Sequence, residues 1–349
     1  MSKTMLAGVL HGVKDIRVEE RPCPELRPGM VLLRVRRVGI CGSDIHYFQH
    51  WRVATFVPSQ PFILGHELTA EVAAVADDVN SIKVGTRVTA NPARSCGFCE
   101  YCKSGRVNLC RKIIMLGSAS TKPPTDGACA HYVMLRADQC HALPPEMDDG
   151  LGAMMEPFAV ALHAVKRAGS LGGKKVLVTG GGPIGLLIVI AARAFGATPI
   201  AVSDIVADRR QAALKFGADA ALDPQVATLP GQVRELTGDG FDVIFEASGA
   251  PPAVRQAFDL VRPGGTIVQV GMLGTGDVPL PADQVVVREI NFIGSFRYGN
   301  VFDEAIRLVS SGRVDLRPLI SQVLPFQKIG EALERASAKD GVLKVQVDI

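Results

Sequence analysis

Four cysteines in one short segment constrain this chain more than any other feature. Cys96, Cys99 and Cys102 are spaced three residues apart, and Cys110 follows eight positions later. Thiolates at this spacing can close a tetrahedral Zn²⁺ shell, which folds a loop that has too little apolar surface to fold alone. The alternative is a disulfide cluster, but we recognise no secretory apolar segment near Met1 and no stretch that would span a bilayer. We therefore expect a structural zinc and a reducing, cytoplasmic setting.

A second set of possible ligands lies elsewhere in the sequence. A closed four-thiolate site leaves no position for a substrate, so zinc chemistry would need other ligands. The candidates are Cys41, the adjacent pair His66 and Glu67, and Glu156, which precedes a proline. Each is weak alone, because a lone cysteine is usually a small core residue and a lone histidine is usually a satisfied buried imidazole. Their order along the chain gives them weight.

A glycine-rich turn in the second half predicts a dinucleotide site. Residues 175–179 form an apolar strand pattern, and the G-x-G-x-x-G turn after it opens an apolar helix that ends near Gly196. In this context the backbone can approach a pyrophosphate at the positive end of the helix. The residues of the turn singled out here are Gly180, Gly182, Pro183, Ile184 and Gly185.

Asp204 is the candidate for selecting the nucleotide. It follows the next predicted strand, 199–203. A carboxylate at this place accepts hydrogen bonds from the adenosine ribose hydroxyls and repels a 2′-phosphate, which predicts NAD. The alternative is a solvated aspartate at the end of a strand.

The two halves of the sequence differ in their periodicity. Short strand patterns over 30–38, 68–75 and 86–90, separated by Pro and Gly, predict a partly open β-barrel. After Pro157 the patterns alternate between helix and strand, which predicts a parallel sheet. A chain of 349 residues exceeds what one core usually supports. We therefore predict an α/β protein with two domains.

The charge pattern excludes some classes of partner. The formal net charge is only +3, with 38 Lys and Arg against 35 Asp and Glu. These charges are interspersed, and the cysteine segment has neither clustered basic residues nor a series of aromatic residues. Nucleic acid and anionic membrane surfaces are therefore not expected as partners.

Six separated elements, taken in order, resemble the zinc-dependent medium-chain alcohol and polyol dehydrogenases. They are Cys-Gly-Ser-Asp-x-His, Gly-His-Glu, the four cysteines, Glu-Pro, the glycine turn and the aspartate after it. The alcohol dehydrogenases hold their catalytic zinc with two Cys and one His. Here Glu156 takes the place of the second Cys, which points to a branch similar to sorbitol dehydrogenase, with Cys41, His66 and Glu156 as ligands and Glu67 beside them.

The resemblance also implies an architecture. A GroES-like, partly open β-barrel catalytic domain would span 1–157 and 297–349, and a doubly wound Rossmann domain would span 158–296. Two Zn²⁺ per chain and NAD would be bound, with the catalytic zinc and the nicotinamide meeting in the cleft between the domains. Members of this family form dimers or tetramers, so a homo-oligomer is expected.

The reaction implied by the resemblance is hydride transfer from a zinc-bound hydroxyl to NAD. Ser43 and His46 match a relay that releases the proton, and Asp44 and Glu67 would orient His66 and the zinc-bound water. For Asp44 the alternative is a carboxylate that caps a helix.

Further residues are assigned by the same resemblance. Cofactor contacts are implied for Arg209, Val270, Ser295 and Arg297, and a substrate pocket for Tyr47, Phe48, Leu116, Arg297 and Tyr298. For Arg297 the alternative is a surface arginine at a hinge.

Three segments, 91–96, 116–120 and 295–298, resemble bacterial L-idonate 5-dehydrogenases. Oxidation of sorbitol, xylitol or galactitol is the alternative, and L-threonine 3-dehydrogenase activity is less favoured. A paralogue that binds NAD without catalysis is a further alternative. Such a protein would normally have lost a ligand or relay residue, and all of them are present here.

Overall fold

The chain forms two compact units. The computed structural model describes residues 3–274, 276–338 and 341–349. The first unit comprises Met1–Glu156 and Phe302–Ile349, and the second comprises Pro157–Val301. Pro157 and residues 297–301, assigned above to the catalytic domain, fall in the second unit. For Pro157 the reason is local, because it lies in the first turn of a helix whose later residues all belong to that unit.

The first part of the chain is mainly β-structure. In chain order its elements are β1 (Thr4–Gly12), β2 (Asp15–Pro22), β3 (Met30–Gly39), α1 (Gly42–His50), β4 (Phe62–Ile63), β5 (Glu67–Val75), β6 (Arg87–Ala90), β7 (Ala93–Arg94), α2 (Glu100–Lys103), β8 (Ile114–Met115), β9 (Tyr132–Arg136), β10 (Cys140–Ala142) and α3 (Asp149–Ala153). Its core packs apolar side chains of β3 and β5, such as Leu33, Val38 and Leu68, against Phe62 of β4.

Strands and helices alternate through the second unit. In chain order its elements are α4 (Met155–Arg167), which begins in the first unit, β11 (Val176–Thr179), α5 (Pro183–Ala194), β12 (Ile200–Ser203), α6 (Ala207–Lys215), β13 (Ala220–Leu222), α7 (Leu229–Thr237), β14 (Phe241–Glu246), α8 (Pro251–Leu260), β15 (Val261–Gln269), α9 (Ala282–Val287) and β16 (Asn291–Gly294). The strands form one parallel sheet in the order β13-β12-β11-β14-β15-β16. The order reverses between β11 and β14, which confirms the predicted doubly wound sheet and places its ligand crevice at their carboxyl ends.

The last part of the chain completes the first unit. Its elements are α10 (Phe302–Ser310), β17 (Ile320–Pro325), α11 (Ile329–Ser337) and β18 (Lys344–Asp348). β18 lies inside the larger sheet of this unit, antiparallel to β3 and parallel to β17. That sheet has the strand order β10-β6-β5-β3-β18-β17, and β9 also pairs with β3. A second sheet has the order β2-β1-β4. None of the helices within the described ranges is long and apolar enough to cross a bilayer.

A buried ion pair joins β18 to β5. Lys344 Nζ donates hydrogen bonds to Glu67 Oε1 and Oε2, each at 2.8 Å, and to the carbonyl of Ile40 at 3.1 Å. The exposed fractions of Lys344 and Glu67 are 4% and 1%. A Cβ at Gly39 would lie 2.2 Å from Glu67 Oε2, so β3 needs glycine at this point. The carboxylate is thus enclosed by three strands and compensated by one lysine.

Replacing Lys344 with Met should lower the free energy of unfolding by about 3–5 kcal/mol, because the buried Glu67 carboxylate loses its counter-ion. Lys328→Met is the matched control, since Lys328 lies 2.9 Å from Glu331 but both side chains are about half exposed. Exposed pairs of this kind contribute about 1 kcal/mol or less. Denaturant unfolding compares the two variants, and equal losses would contradict a structural role for the buried pair.

Candidate functional site

Three possible metal ligands meet at the end of β3. Cys41 precedes α1, His66 follows Gly65, which takes a positive φ of 92°, and Glu67 begins β5. One ligand atom from each of Cys41, His66 and Glu67 lies within 4.8 Å of the other two. A sulfur, an imidazole nitrogen and a carboxylate oxygen form a donor set that suits Zn²⁺. These residues therefore fit a metal, with His66 and Glu67 buried and Cys41 half-buried.

Asp44 organises this cluster from within α1. Its carboxylate accepts hydrogen bonds from the N–H groups of Cys41 at 2.9 Å and Gly65 at 3.2 Å, and its Oδ1 lies 3.7 Å from His66 Nδ1. Burial raises the pKa of Asp44, against the lowering effects of His66 and of these N–H groups. Burial lowers the pKa of His66, but the charges of Asp44 and Cys41 outweigh it, so this pKa lies well above its usual value. Asp44 caps α1 and also lies beside His66, so the two interpretations weighed for it are compatible.

The two carboxylates near the cluster have different surroundings. Both oxygens of Glu67 accept hydrogen bonds from Lys344. Glu156, in the first turn of α4, is 4% exposed and lies outside the group of atoms within 4.8 Å, although its charge raises the pKa of His66 and of Lys344. Lys344 is the residue that sequence reasoning missed at this site.

The predicted relay residues lie on α1. Ser43 and His46 are three positions apart, so they lie on neighbouring turns of one helix face. His46 is exposed at the surface. Partial desolvation, and then the charge of His50, lower its pKa. No side-chain bond between Ser43 and His46 is found among the described residues, so the relay stays a prediction.

The predicted substrate residues of the first unit lie in its core. Tyr47, Phe48 and Leu116 are 2%, 3% and 5% exposed. The hydroxyl of Tyr47 accepts a hydrogen bond from Ala119 N at 3.0 Å, and its ring packs edge-on against Phe62. Contact of these three side chains with a substrate stays a prediction.

The four-cysteine segment folds into a single cluster. Ligand atoms of Cys96, Cys99, Cys102 and Cys110 all lie within 4.8 Å of one another, with sulfur atoms of Cys99 and Cys102 3.5 Å apart. Backbone N–H groups of Arg111 and Cys102 lower the pKa of Cys99 to about 6. Desolvation, and then the hydrogen bond from Cys99, raise the pKa of Cys102 to about 11. The arrangement suits a cation, which would stabilise all four as thiolates.

The glycine turn connects β11 to α5 as predicted. Gly182 is the N-cap of α5, Pro183 and Ile184 form its first turn, and no atom lies within 4 Å of the space where a Cβ of Gly182 would sit. A Cβ at Gly185 would lie 1.8 Å from the carbonyl oxygen of Gly180, so the turn closes only with glycine there. The backbone at Gly182 is thus open to a ligand at the helix N-terminus.

Asp204 supports this turn from the end of β12. Its carboxylate accepts hydrogen bonds from Gly181 N and Val206 N, both at 2.8 Å, and lies 3.8 Å from a guanidinium nitrogen of Arg209. Asp204 is 7% exposed. This burial and these two bonds argue against the alternative of a solvated aspartate.

The remaining predicted cofactor and substrate residues follow β15 and β16. The backbone N–H of Val270 donates a hydrogen bond to the carbonyl of Glu246 at 2.8 Å. The backbone N–H of Ser295 donates one to the carbonyl of Gln269 at 2.9 Å. Arg297 takes a positive φ of 54°, and its guanidinium carbon lies 4.7 Å from the ring centre of Phe296. Tyr298 is 1% exposed.

Family patterns match both units. The pattern of the alcohol dehydrogenase GroES-like domain matches residues 27–145, and the zinc-binding dehydrogenase pattern matches residues 183–311. The chain is similar to sorbitol dehydrogenase of Bacillus subtilis, with 38% identity over 99% of this chain and 97% of that protein.

Two solved structures share this fold. L-idonate 5-dehydrogenase of Escherichia coli K-12 has a TM-score of 0.93 and 34% identity, over 99% of this chain and 98% of that one. A protein assigned as a zinc-binding dehydrogenase of Sinorhizobium meliloti, bound to NADP, has a TM-score of 0.90 and 34% identity over the whole of both chains. Together with the metal clusters and the glycine turn, these similarities confirm the resemblance: the chain belongs to the zinc-dependent medium-chain dehydrogenase family and is an oxidoreductase of its alcohol and polyol dehydrogenases.

Proposed function

We propose that this enzyme transfers a hydride from a secondary hydroxyl of a sugar acid or polyol to NAD, with L-idonate as the favoured substrate. The observation that carries the proposal is the buried cluster of Cys41, His66 and Glu67, in a chain that also has a glycine turn followed by Asp204. Family membership supports the redox chemistry, and the similarity to sorbitol dehydrogenase supports polyhydroxylated substrates.

Two metal roles are proposed for the two clusters. Cys96, Cys99, Cys102 and Cys110 would hold a structural zinc, because four thiolates fill its shell. At the other cluster Cys41, His66 and Glu156 would be the ligands. Glu67 is already bonded through both oxygens to Lys344, which supports Glu156 as the third ligand and Glu67 as its neighbour.

When bound, the catalytic zinc lowers the pKa of a coordinated hydroxyl, and the nicotinamide accepts the hydride. The protein's own residues would then carry the proton. Ser43 would take it first and His46 would release it to water. A lowered pKa keeps the imidazole of His46 neutral at pH 7 and able to accept a proton.

Recognition of the substrate is assigned to Arg297 and Tyr298. A guanidinium can form two parallel hydrogen bonds with a carboxylate, which suits an aldonate better than a neutral polyol. The structural similarity to L-idonate 5-dehydrogenase supports this choice. Tyr47, Phe48 and Leu116 would shape the apolar side of the pocket. Sorbitol, xylitol or galactitol oxidation is the alternative, and L-threonine oxidation is less favoured.

The setting of the enzyme is part of the proposal. We propose a homo-oligomer, a dimer or tetramer, in the cytoplasm, because thiolate zinc ligands need a reducing compartment.

The fully loaded protein should contain two zinc ions per chain with different lability. Chelation should remove the zinc at Cys41 first and abolish activity while the fold persists, because an open site exposes its metal to competing ligands. Cys41→Ser should lose one metal per chain. Cys23→Ser, at a half-buried thiol outside both clusters, is the control and should keep both. Elemental analysis checks the counts, and one zinc in the loaded wild type would reject the proposal.

NAD should be preferred to NADP, and Asp204→Ala should narrow the preference by about one to two powers of ten, since a hydrogen bond to a charged group contributes about 1.5–3 kcal/mol. Asp208→Ala is the control, because Asp208 is exposed on α6 in the same unit. Initial rates with both nucleotides give the ratio of kcat/KM. Equal efficiency of the wild type with NADP would show that the role given to Asp204 is wrong.

L-idonate should be oxidised more efficiently than sorbitol, and ethanol should be a poor substrate. Arg297→Lys should reduce kcat/KM more for L-idonate than for sorbitol, because lysine cannot form the paired bonds to a carboxylate. The control is Arg317→Lys, at an exposed arginine paired with Asp315. Steady-state rates on both substrates make the test. Equal losses of kcat/KM for L-idonate and sorbitol would show that Arg297 does not bind the substrate carboxylate. No turnover of either sugar acids or polyols would exclude the polyol assignment.

A further inference from the structure

Glu246, at the end of β14, is a fully buried carboxylate that the proposed reaction does not use. Its exposed fraction is 0%. Within the described ranges it has no ion pair and belongs to no group of possible metal ligands. Burying a charge without a cation is costly unless hydrogen bonds compensate for it. Hydrogen bonds must therefore compensate for the burial of the Glu246 carboxylate.

Neutral donors from β11, β15 and the loop after β14 converge on this carboxylate. Oε1 of Glu246 accepts hydrogen bonds from Thr179 Oγ1 at 3.2 Å, Ser248 N at 2.9 Å and Gly249 N at 3.1 Å. It also accepts one from the hydroxyl of Ser248. Oε2 accepts from the amide of Gln269. One side chain thus ties together the carboxyl ends of β11, β14 and β15.

The backbone of Glu246 fixes the next loop as well. Its backbone carbonyl accepts hydrogen bonds from Val270 N and Gly271 N, both at 2.8 Å. A Cβ at Gly271 would lie 2.2 Å from Gly249 N, so the loops after β14 and β15 pack backbone against backbone. The loop after β14 also lies against the glycine turn, since a Cβ at Gly180 would lie 2.9 Å from Ser248 N.

These loops lie at the ligand edge of the sheet. In a doubly wound sheet the dinucleotide crosses the carboxyl ends of the strands at the switch point, which here lies between β11 and β14. Asp204, directly after β12, marks the adenosine side in the proposed function. The nicotinamide half therefore falls on the side of β14 and β15, where Glu246 fixes the loops.

We propose that Glu246 is a positioning residue for the nicotinamide half of the dinucleotide, acting through the loops 247–249 and 270–272, with Gln269 as its partner. The proposal rests on the proposed use of a nicotinamide dinucleotide. Replacing Glu246 by glutamine breaks the arrangement for a geometric reason. If the new amide oxygen keeps the donors of Ser248 and Gly249, its NH₂ faces the NH₂ of Gln269. Turning Gln269 over would instead direct its oxygen at the carbonyl of Gly271, which its amide now contacts at 2.8 Å.

The test measures NADH binding by fluorescence titration on the zinc-loaded enzyme, together with the separate kinetic constants. Glu246→Gln should raise the Kd for NADH and the KM for NAD at least about tenfold, with the KM for the alcohol substrate and the zinc content unchanged. Asp242→Asn is the matched control. Asp242 lies on the same strand at its amino end, where it accepts from Arg262 at 2.6 Å and Lys175 N at 2.8 Å, so its loss should lower thermal stability without weakening NADH binding.

Gln269→Leu covers the case in which Glu246→Gln does not fold. It leaves the carboxylate and its backbone donors in place and should weaken NADH binding severalfold. Unchanged Kd values in the variants that fold, or an equal loss in Asp242→Asn, would overturn the proposal. A wild type that binds no NADH would refute the proposed function itself, and that result is distinct from a wild type and variants that bind equally.

Discussion

The buried pair of Lys344 and Glu67 is the constraint on which the first unit depends. It fastens the last strand of the chain to the first residue of β5, directly after His66, and 277 positions of sequence separate the two residues. Removing either member of a buried ion pair leaves the other charge without its counter-ion, which costs about 3–5 kcal/mol. The pair therefore supports both the interior position of β18 in its sheet and the segment that carries His66.

The same lysine influences the chemistry available to the cluster. The acidic groups of Asp44, Glu67 and Glu156 lie in the surroundings of one imidazole, and like charges in a buried site repel each other. Lys344 offsets part of this charge, and its own pKa is raised above the usual value, mainly by Glu67 and Cys41 acting against burial. It remains protonated across the neutral range.

Local patterns could be read from the sequence, and contacts between distant segments could not. The cysteine spacing and the glycine turn predict their clusters because the ligands or backbone groups come from one segment. β18 is different, because the alternation of Lys344, Val345, Gln346 and Val347 predicts one exposed polar face, yet both faces are buried. The contact between the hydroxyl of Tyr47 and the backbone N–H of Ala119 is another such case, and the place of Tyr47 in a substrate pocket stays a prediction. Such partners are fixed by tertiary packing, which a single sequence does not display.

The two buried glutamates show how charge is matched to each site. Glu67 lies where a metal and several anionic groups are expected, so a cation beside it balances the local charge. Glu246 lies near the turn that would receive a pyrophosphate, a ligand that brings its own negative charge to backbone N–H groups. Neutral hydroxyl, amide and backbone donors hold it in place. They fix the shape of the loops without adding a positive charge that would compete with the helix N-terminus for the ligand, so the precision of this site comes from hydrogen-bond geometry.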